Sequence, residues 1–196
     1  MKIQFESNLA YQDRAVSSIV DIFEGQEICQ SNFSIVRQHS KGQKTTADYD
    51  DLGIGNRLEL LDDEILANIQ NIQLRNGLPQ SKKLNSMDFS IEMETGTGKT
   101  YVYLKSIFEL NKRYGFTKFI VVVPSIAIKE GTKKTLEITS NHFKTLFDNV
   151  NYDSFVYDSS NLEQVRDFAT SSDIRIMVIN IDAFRKSFSD PSKDTK

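Results

Sequence analysis

The chain has 196 residues, 39% hydrophobic and 26% charged, a size and balance that suit one well-buried domain, alone or with an appended subdomain. A net charge of -3 excludes a general polyanion-binding surface but leaves room for a local basic groove, and the single cysteine, Cys29, excludes an intrachain disulfide. His39 and His142 lack ligand spacing, no run reaches membrane-spanning length and the first residues have no signal-peptide core, so the expectation is a soluble cytoplasmic chain with no membrane contact.

In chain order, Asn8 is placed to cap a helix whose residues Val16, Ile19, Val20 and Phe23 recur at helical spacing, with Gly25 as its stop. Residues 26 to 60 are polar and mixed. Phe33 to Val36 suits a strand, but Lys41 to Asp51 has no periodicity, and the stretch at about 26–60 reads as an excursion or small hairpin. A second amphipathic helix runs from Asp62, as cap, through Ile65, Leu66, Ile69 and Ile72 to a stop before Gly77-Leu78-Pro79.

From residue 87 the pattern changes. The alternation Met87 to Met93 predicts a short strand feeding Thr95-Gly96-Thr97-Gly98-Lys99-Thr100, and Tyr101 to Leu110 predicts a buried helix behind it. Strand, glycine-rich turn, Lys-Thr and helix is the context of a P-loop. Gly96 and Gly98 let backbone N–H groups approach phosphate oxygens, and the helix start adds partial positive charge. Lys99 then reaches the β- and γ-phosphates of ATP, and the Thr100 hydroxyl binds Mg2+. The bland alternative is a glycine-rich turn that merely joins two elements.

Lys118 to Val123 reads as a strand covered on both faces and ended by Pro124, followed by a helix over 126 to 146. A strand at 154 to 157, a helix at 162 to 169 and a strand at 175 to 180 complete the repeat. Repeated β-α-β units predict an α/β fold: a parallel sheet with helices on both faces, RecA-like, following an N-terminal helical segment. The P-loop, Pro124-Ser125 and Asn180 are all expected at the carboxyl edge of that sheet. The division expected is 1–85 for the N-terminal segment, 86–186 for a partial RecA-like domain and 187–196 for a polar tail. An Asp-Glu pair at the end of an apolar run, needed to hold magnesium and orient water, is not found; Asp63-Glu64 sits at a helix start before the P-loop.

The first glycine of the general P-loop pattern is replaced by Met93, and the tighter variant resembles motif I of superfamily 2 helicases and translocases. With Phe5 to Gln12, Phe119 to Gly131 and Ile176 to Phe184, the chain resembles over nearly its whole length the Res subunit of type III restriction enzymes. That resemblance implies that Gln12 reads adenine, its carboxamide matching N6 and N7, with Phe5 or Tyr11 as a stacking neighbour. It also implies that Pro124, Ser125 and Lys129 form motif Ia on the nucleic-acid backbone, extended by Lys133 and Lys134. Asn180 and Asp182 take the place of motif Ib, with Asp182 read more readily as a helix cap. The alternatives for these residues are a first-turn role for Tyr11 and Gln12 and a solvated lysine face.

By the same resemblance the parent protein is an ATP-dependent type III site-specific deoxyribonuclease. It couples ATP hydrolysis to movement or switching on DNA and cleaves with a methyltransferase modification subunit. The chain itself is expected to be a fragment without Walker B residues or the arginine finger of a second lobe, and so inactive alone. Two other readings stand beside it: a different superfamily 2 motor (a repair helicase or a type I restriction motor), and a non-hydrolysing nucleotide-binding assembly module.

Overall fold

A computed structural model describes residues 9–35 and 51–189, which divide into two compact units. One unit comprises the described residues of Met1–Cys29, Leu58–Gly115 and Thr135–Val150; the other comprises those of Gln30–Arg57, Phe116–Lys134 and Asn151–Lys196.

The first unit is helical. α1 (Ala10–Val20) runs into a 3-10 turn, Asp21–Phe23, and stops at Gly25, whose φ of +92° is the left-handed geometry expected of a helix stop. Leu9 is the N-cap residue of α1, and Asn8, expected to cap it, lies outside the described residues. α2 (Asp62–Arg75) begins one residue earlier than the Asp62 cap implied: Leu61 is the N-cap, and its backbone N–H donates to Glu64 Oε2 at 2.8 Å. Three acidic residues in that first turn favour the helix dipole, so Asp62 acts by charge rather than as the cap. Asn68 ties α2 back to the 3-10 turn by donating to the carbonyls of Ile22 and Glu24.

α3 (Lys99–Tyr114) packs against α1. It ends at Gly115, whose φ of +72° and N–H donation to Asn111 O make a left-handed C-cap. The residues of α4 (Ile126–Leu146) from Thr135 onward belong to this unit and bring Phe143 onto Phe108 and Tyr101, with ring centroids 4.8 and 5.4 Å apart. Phe108, Phe143, Leu104, Val102 and Ile65 are essentially fully buried and form the core.

The second unit carries the sheet. β3 (Lys118–Val123), β5 (Ile174–Asn180) and β4 (Tyr152–Val156) form a parallel sheet in the order β3-β5-β4. α5 (Leu162–Thr170) and α6 (Ile181–Ser189) flank it. Central β5 carries a continuous apolar run from Ile176 to Ile179, buried throughout together with Ile174, as suits an interior parallel strand. A separate antiparallel pair joins β1 (Gln30–Ile35) to β2 (Asp51–Asn56). This pair falls within the excursion or small hairpin expected at about 26–60, of which residues 36–50 lie outside the described residues. Asn56 fastens the pair to β3: its Oδ1 accepts from the N–H groups of Thr117 and Lys118, and its Nδ2 donates to Lys118 O.

Two of the expectations about strands change. Met87–Met93 is not a strand: the stretch is irregular, and Met87, Phe89 and Ile91 are 47%, 39% and 45% exposed. Alternation alone cannot make a strand, because its backbone N–H and C=O groups need a neighbouring ladder, and among the described residues none pairs with it. β3 is likewise not covered on both faces. It is an edge strand of its sheet, with Ile120 and Val122 exposed.

Candidate functional site

The P-loop folds as a tight turn from which α3 starts directly. Gly96 (φ +82°) and Gly98 (φ +84°) both take the left-handed conformation, and Gly98 is the residue immediately before the helix. Glu94 O is the internal anchor of the loop. It accepts from Thr97 Oγ1 at 2.7 Å and from Lys99 Nζ at 2.7 Å. The lysine is thus folded back over the loop while its side chain remains exposed. A Cβ added at Gly96 would meet nothing within 4 Å, so the outer side of the turn is open.

Gln12 stands beside this loop. Its Nε2 donates to Thr97 O at 2.9 Å across 85 residues of sequence, and the residue is buried. Thr97 O can only accept, which fixes which end of the carboxamide faces the loop. The contact is close enough that a Cβ at Gly98 would come within 2.6 Å of Nε2. Gln12 lies in the first turn of α1, where its N–H and that of Asp13 both donate to Leu9 O. Tyr11, half-exposed, lines an open groove of about 1530 Å³ together with Arg14, Glu94 and Thr97. Phe5 lies outside the described residues.

Sequence reasoning missed the polar cluster behind the loop. Lys105 is buried on α3 and donates to Asp13 Oδ1 at 2.6 Å. Tyr101 Oη and His142 Nε2 are hydrogen-bonded at 2.8 Å. Burial, then the Asp13 charge, raises the Tyr101 hydroxyl above its ordinary value. His142 is pushed below the ordinary imidazole value, first by burial and then by the Lys105 ammonium. The available signal was a lysine inside an otherwise apolar helical run and an aspartate next to Gln12.

In the second unit, Val123 and Asn180 are register partners, so Pro124-Ser125 and Asn180 share the carboxyl edge of the sheet. Ser125 caps α4: its Oγ accepts from Ile128 N at 3.3 Å and its carbonyl accepts from Lys129 N at 3.0 Å. Asn180, rather than Asp182, caps α6. Its Oδ1 accepts from the N–H groups of Asp182 and Ala183 at 2.9 and 3.0 Å. The chain turns into the helix directly after Asn180, which puts that side chain, one residue ahead of Ile181, in reach of the free N–H groups. Lys129 lines a shallow depression with Tyr157, Asp158 and Ala183. The Asp158 carboxyl is held below its usual range chiefly by the backbone N–H and hydroxyl of Ser160, with a smaller contribution from Lys129.

A three-stranded parallel sheet flanked by helices, with a phosphate-loop sequence opening a helix, defines an α/β chain of the RecA-like class. Residues 9–196 match the family described as type III restriction enzyme, res subunit, and the chain belongs to that family. It is 35% identical over 146 residues to the type III restriction-modification enzyme EcoP15I Res subunit of Escherichia coli, a match covering 71% of this chain and 13% of the relative. It is 33% identical over 145 residues to the EcoPI Res subunit of Escherichia phage P1, covering 71% and 14%. A third relative, the StyLTI Res subunit of Salmonella typhimurium, is 41% identical over 76 residues, covering 38% and 8%. The chain therefore spans only a small part of the length of its curated relatives. Among the described residues, no helix is long and apolar enough to cross a membrane and no group of acidic, histidine or cysteine side chains could hold a metal ion by itself.

Proposed function

We propose that this chain is the N-terminal ATP-binding part of a Res-type subunit, whose parent couples ATP hydrolysis to movement or switching on DNA and to cleavage with a methyltransferase partner. The observation that carries the reading is the Gln12 bond to Thr97 O, which joins a base-reading candidate to a phosphate-loop candidate. The residues fit a magnesium nucleotide. Two left-handed glycines bend the loop, its outer side is open at Gly96, and Lys99 is exposed. Thr95 to Gly98 would offer backbone N–H groups to phosphate oxygens, Lys99 its ammonium and Thr100 its hydroxyl to Mg2+. The bound nucleotide would supply the phosphoryl bond whose hydrolysis drives the parent.

Lys99 Nζ spends one of its three N–H donors on Glu94 O, and a phosphate offers the exposed ammonium a charged acceptor, which favours the anion. Gln12 keeps one Nε2 hydrogen on Thr97 O. Its second hydrogen and its Oε1 are the pair that match adenine N7 and the N6 amine, with the Tyr11 ring nearby along the groove. Pro124, Ser125, Lys129 and Asn180 are proposed as the DNA backbone contacts. Ser125 Oγ and Asn180 Oδ1 accept as caps, which leaves the Ser125 hydroxyl hydrogen, the Asn180 amide hydrogens, Lys129 and backbone N–H groups as the donors toward phosphate.

Calorimetric titration of magnesium ATP tests the nucleotide reading. Binding that falls at least about ten-fold in Lys99→Ala, the loss of one charge-assisted contact, is expected. A wild-type chain that does not respond at millimolar ATP, or a Lys99→Ala variant that binds equally well, would count against the cradle. No ATP turnover is expected of the 196-residue chain; a turnover that Lys99→Ala abolishes would overturn the assignment of hydrolysis to the parent alone.

A further inference from the structure

We infer that the Asp13–Lys105 ion pair is a positioning device that holds the base-reading residue in fixed register with the phosphate loop. The inference rests on the nucleotide reading above and extends it to two residues outside the P-loop.

Gln12 and Asp13 are consecutive in the first turn of α1, and each grips a different part of the P-loop element. Gln12 bonds the loop itself at Thr97 O, and Asp13 bonds Lys105 on the helix that the loop opens. One hydrogen bond leaves a pivot; two attachments on adjacent residues fix both the rotation and the distance of the turn. Lys105 makes the second attachment stiff. Its side chain is only 8% exposed, so drawing the ammonium away from Asp13 would forfeit a charge-assisted hydrogen bond where little water is at hand to replace it. Asp13, at 45% exposed, has water available and is held by its partner rather than by burial.

Tyr101 and His142 brace α3 from its other neighbour through their 2.8 Å hydrogen bond, so the helix that carries Lys105 is itself fixed. The carboxamide of Gln12 is therefore presented in one orientation, and a ligand carrying both an adenine and a polyphosphate meets the two ends of its site already spaced. The advantage of ATP over a bare polyphosphate depends on that spacing, because preorganisation removes the cost of ordering the turn upon binding.

The test compares magnesium ATP with magnesium tripolyphosphate by calorimetry on the full chain. In Lys105→Met, which keeps the apolar stem and removes the charge, the preference for ATP over tripolyphosphate is expected to fall about ten-fold, with tripolyphosphate affinity held within about two-fold. Lys105→Arg is expected to retain the preference. Asp13→Asn, a change at a half-exposed position, carries the same expectation and serves if Lys105→Met fails to fold by circular dichroism. An unchanged preference in a folded Lys105→Met or Asp13→Asn overturns the inference, as does an equal loss for both ligands, which would mark the pair as merely structural. A wild-type chain that binds tripolyphosphate without preferring ATP overturns it while leaving the phosphate cradle standing. Binding of neither ligand by wild type overturns both.

Discussion

Gly98 is constrained twice, and Gly96 once. Both hold φ near +80°, where a Cβ costs about 1–2 kcal/mol, but only Gly98 has a side chain pressed against it. Gly96→Ala is therefore expected to cost the strain alone, whereas Gly98→Ala must also push Gln12 off Thr97 O. Urea denaturation should rank Gly98→Ala below Gly96→Ala, and adding Gln12→Ala should be milder in the Gly98→Ala background than in wild type. Additive effects of the two substitutions would show that the close approach has no energetic consequence. The tight turn before α3 was legible in sequence because its signal is local, two glycines within three residues directly ahead of Lys99. The Asp13–Lys105 pair was not, since its members are 92 residues apart and each is an ordinary residue of an amphipathic helix.

At the scale of elements, α3 owes its position to aromatic packing more than to its cap. Phe143 is fully buried and stacks on Tyr101 and Phe108, while Phe147 stacks on Phe108 at 5.2 Å. Phe143→Ala should cost about 3–5 kcal/mol by loss of transfer energy and an unfilled cavity, and Phe143→Leu distinctly less. Equal midpoints for wild type and Phe143→Ala in a urea titration would mean that the stack does not hold α3. Helix extents were readable because apolar spacing and glycine stops act within a few residues. The expected strand at Met87–Met93 failed for the opposite reason: strand formation depends on a neighbour that no local pattern specifies. Caps at Leu61 and Asn180 were placed one or two residues off by side-chain preference, because cap position is set by where the helical backbone begins.

For the whole molecule, a net charge of -3 makes any DNA affinity a question of where the positive charge lies. Lys129 and Lys133 stand one helical turn apart on α4, directly after the Ser125 cap, while Asp158 lies beside Lys129 and opposes it. The proposed DNA contact then rests on a few lysines and backbone N–H groups rather than on a broad basic face. Such a surface should bind duplex DNA no tighter than the weak non-specific range of about 10⁻⁴–10⁻⁶ M, and the binding should weaken as added salt lowers the gain from releasing the DNA's counterions. Fluorescence anisotropy from 50 to 200 mM salt would give the slope of log affinity against log salt, to which each phosphate-contacting lysine contributes about 0.9. Lys129→Ala should flatten that slope by about 1 and weaken binding evenly across unrelated sequences. Asp158→Asn, which removes the opposing charge, should strengthen binding at low salt and converge on wild type as salt rises. Affinity indifferent to salt, or a Lys129→Ala slope equal to wild type, would move the DNA contact away from this sheet edge.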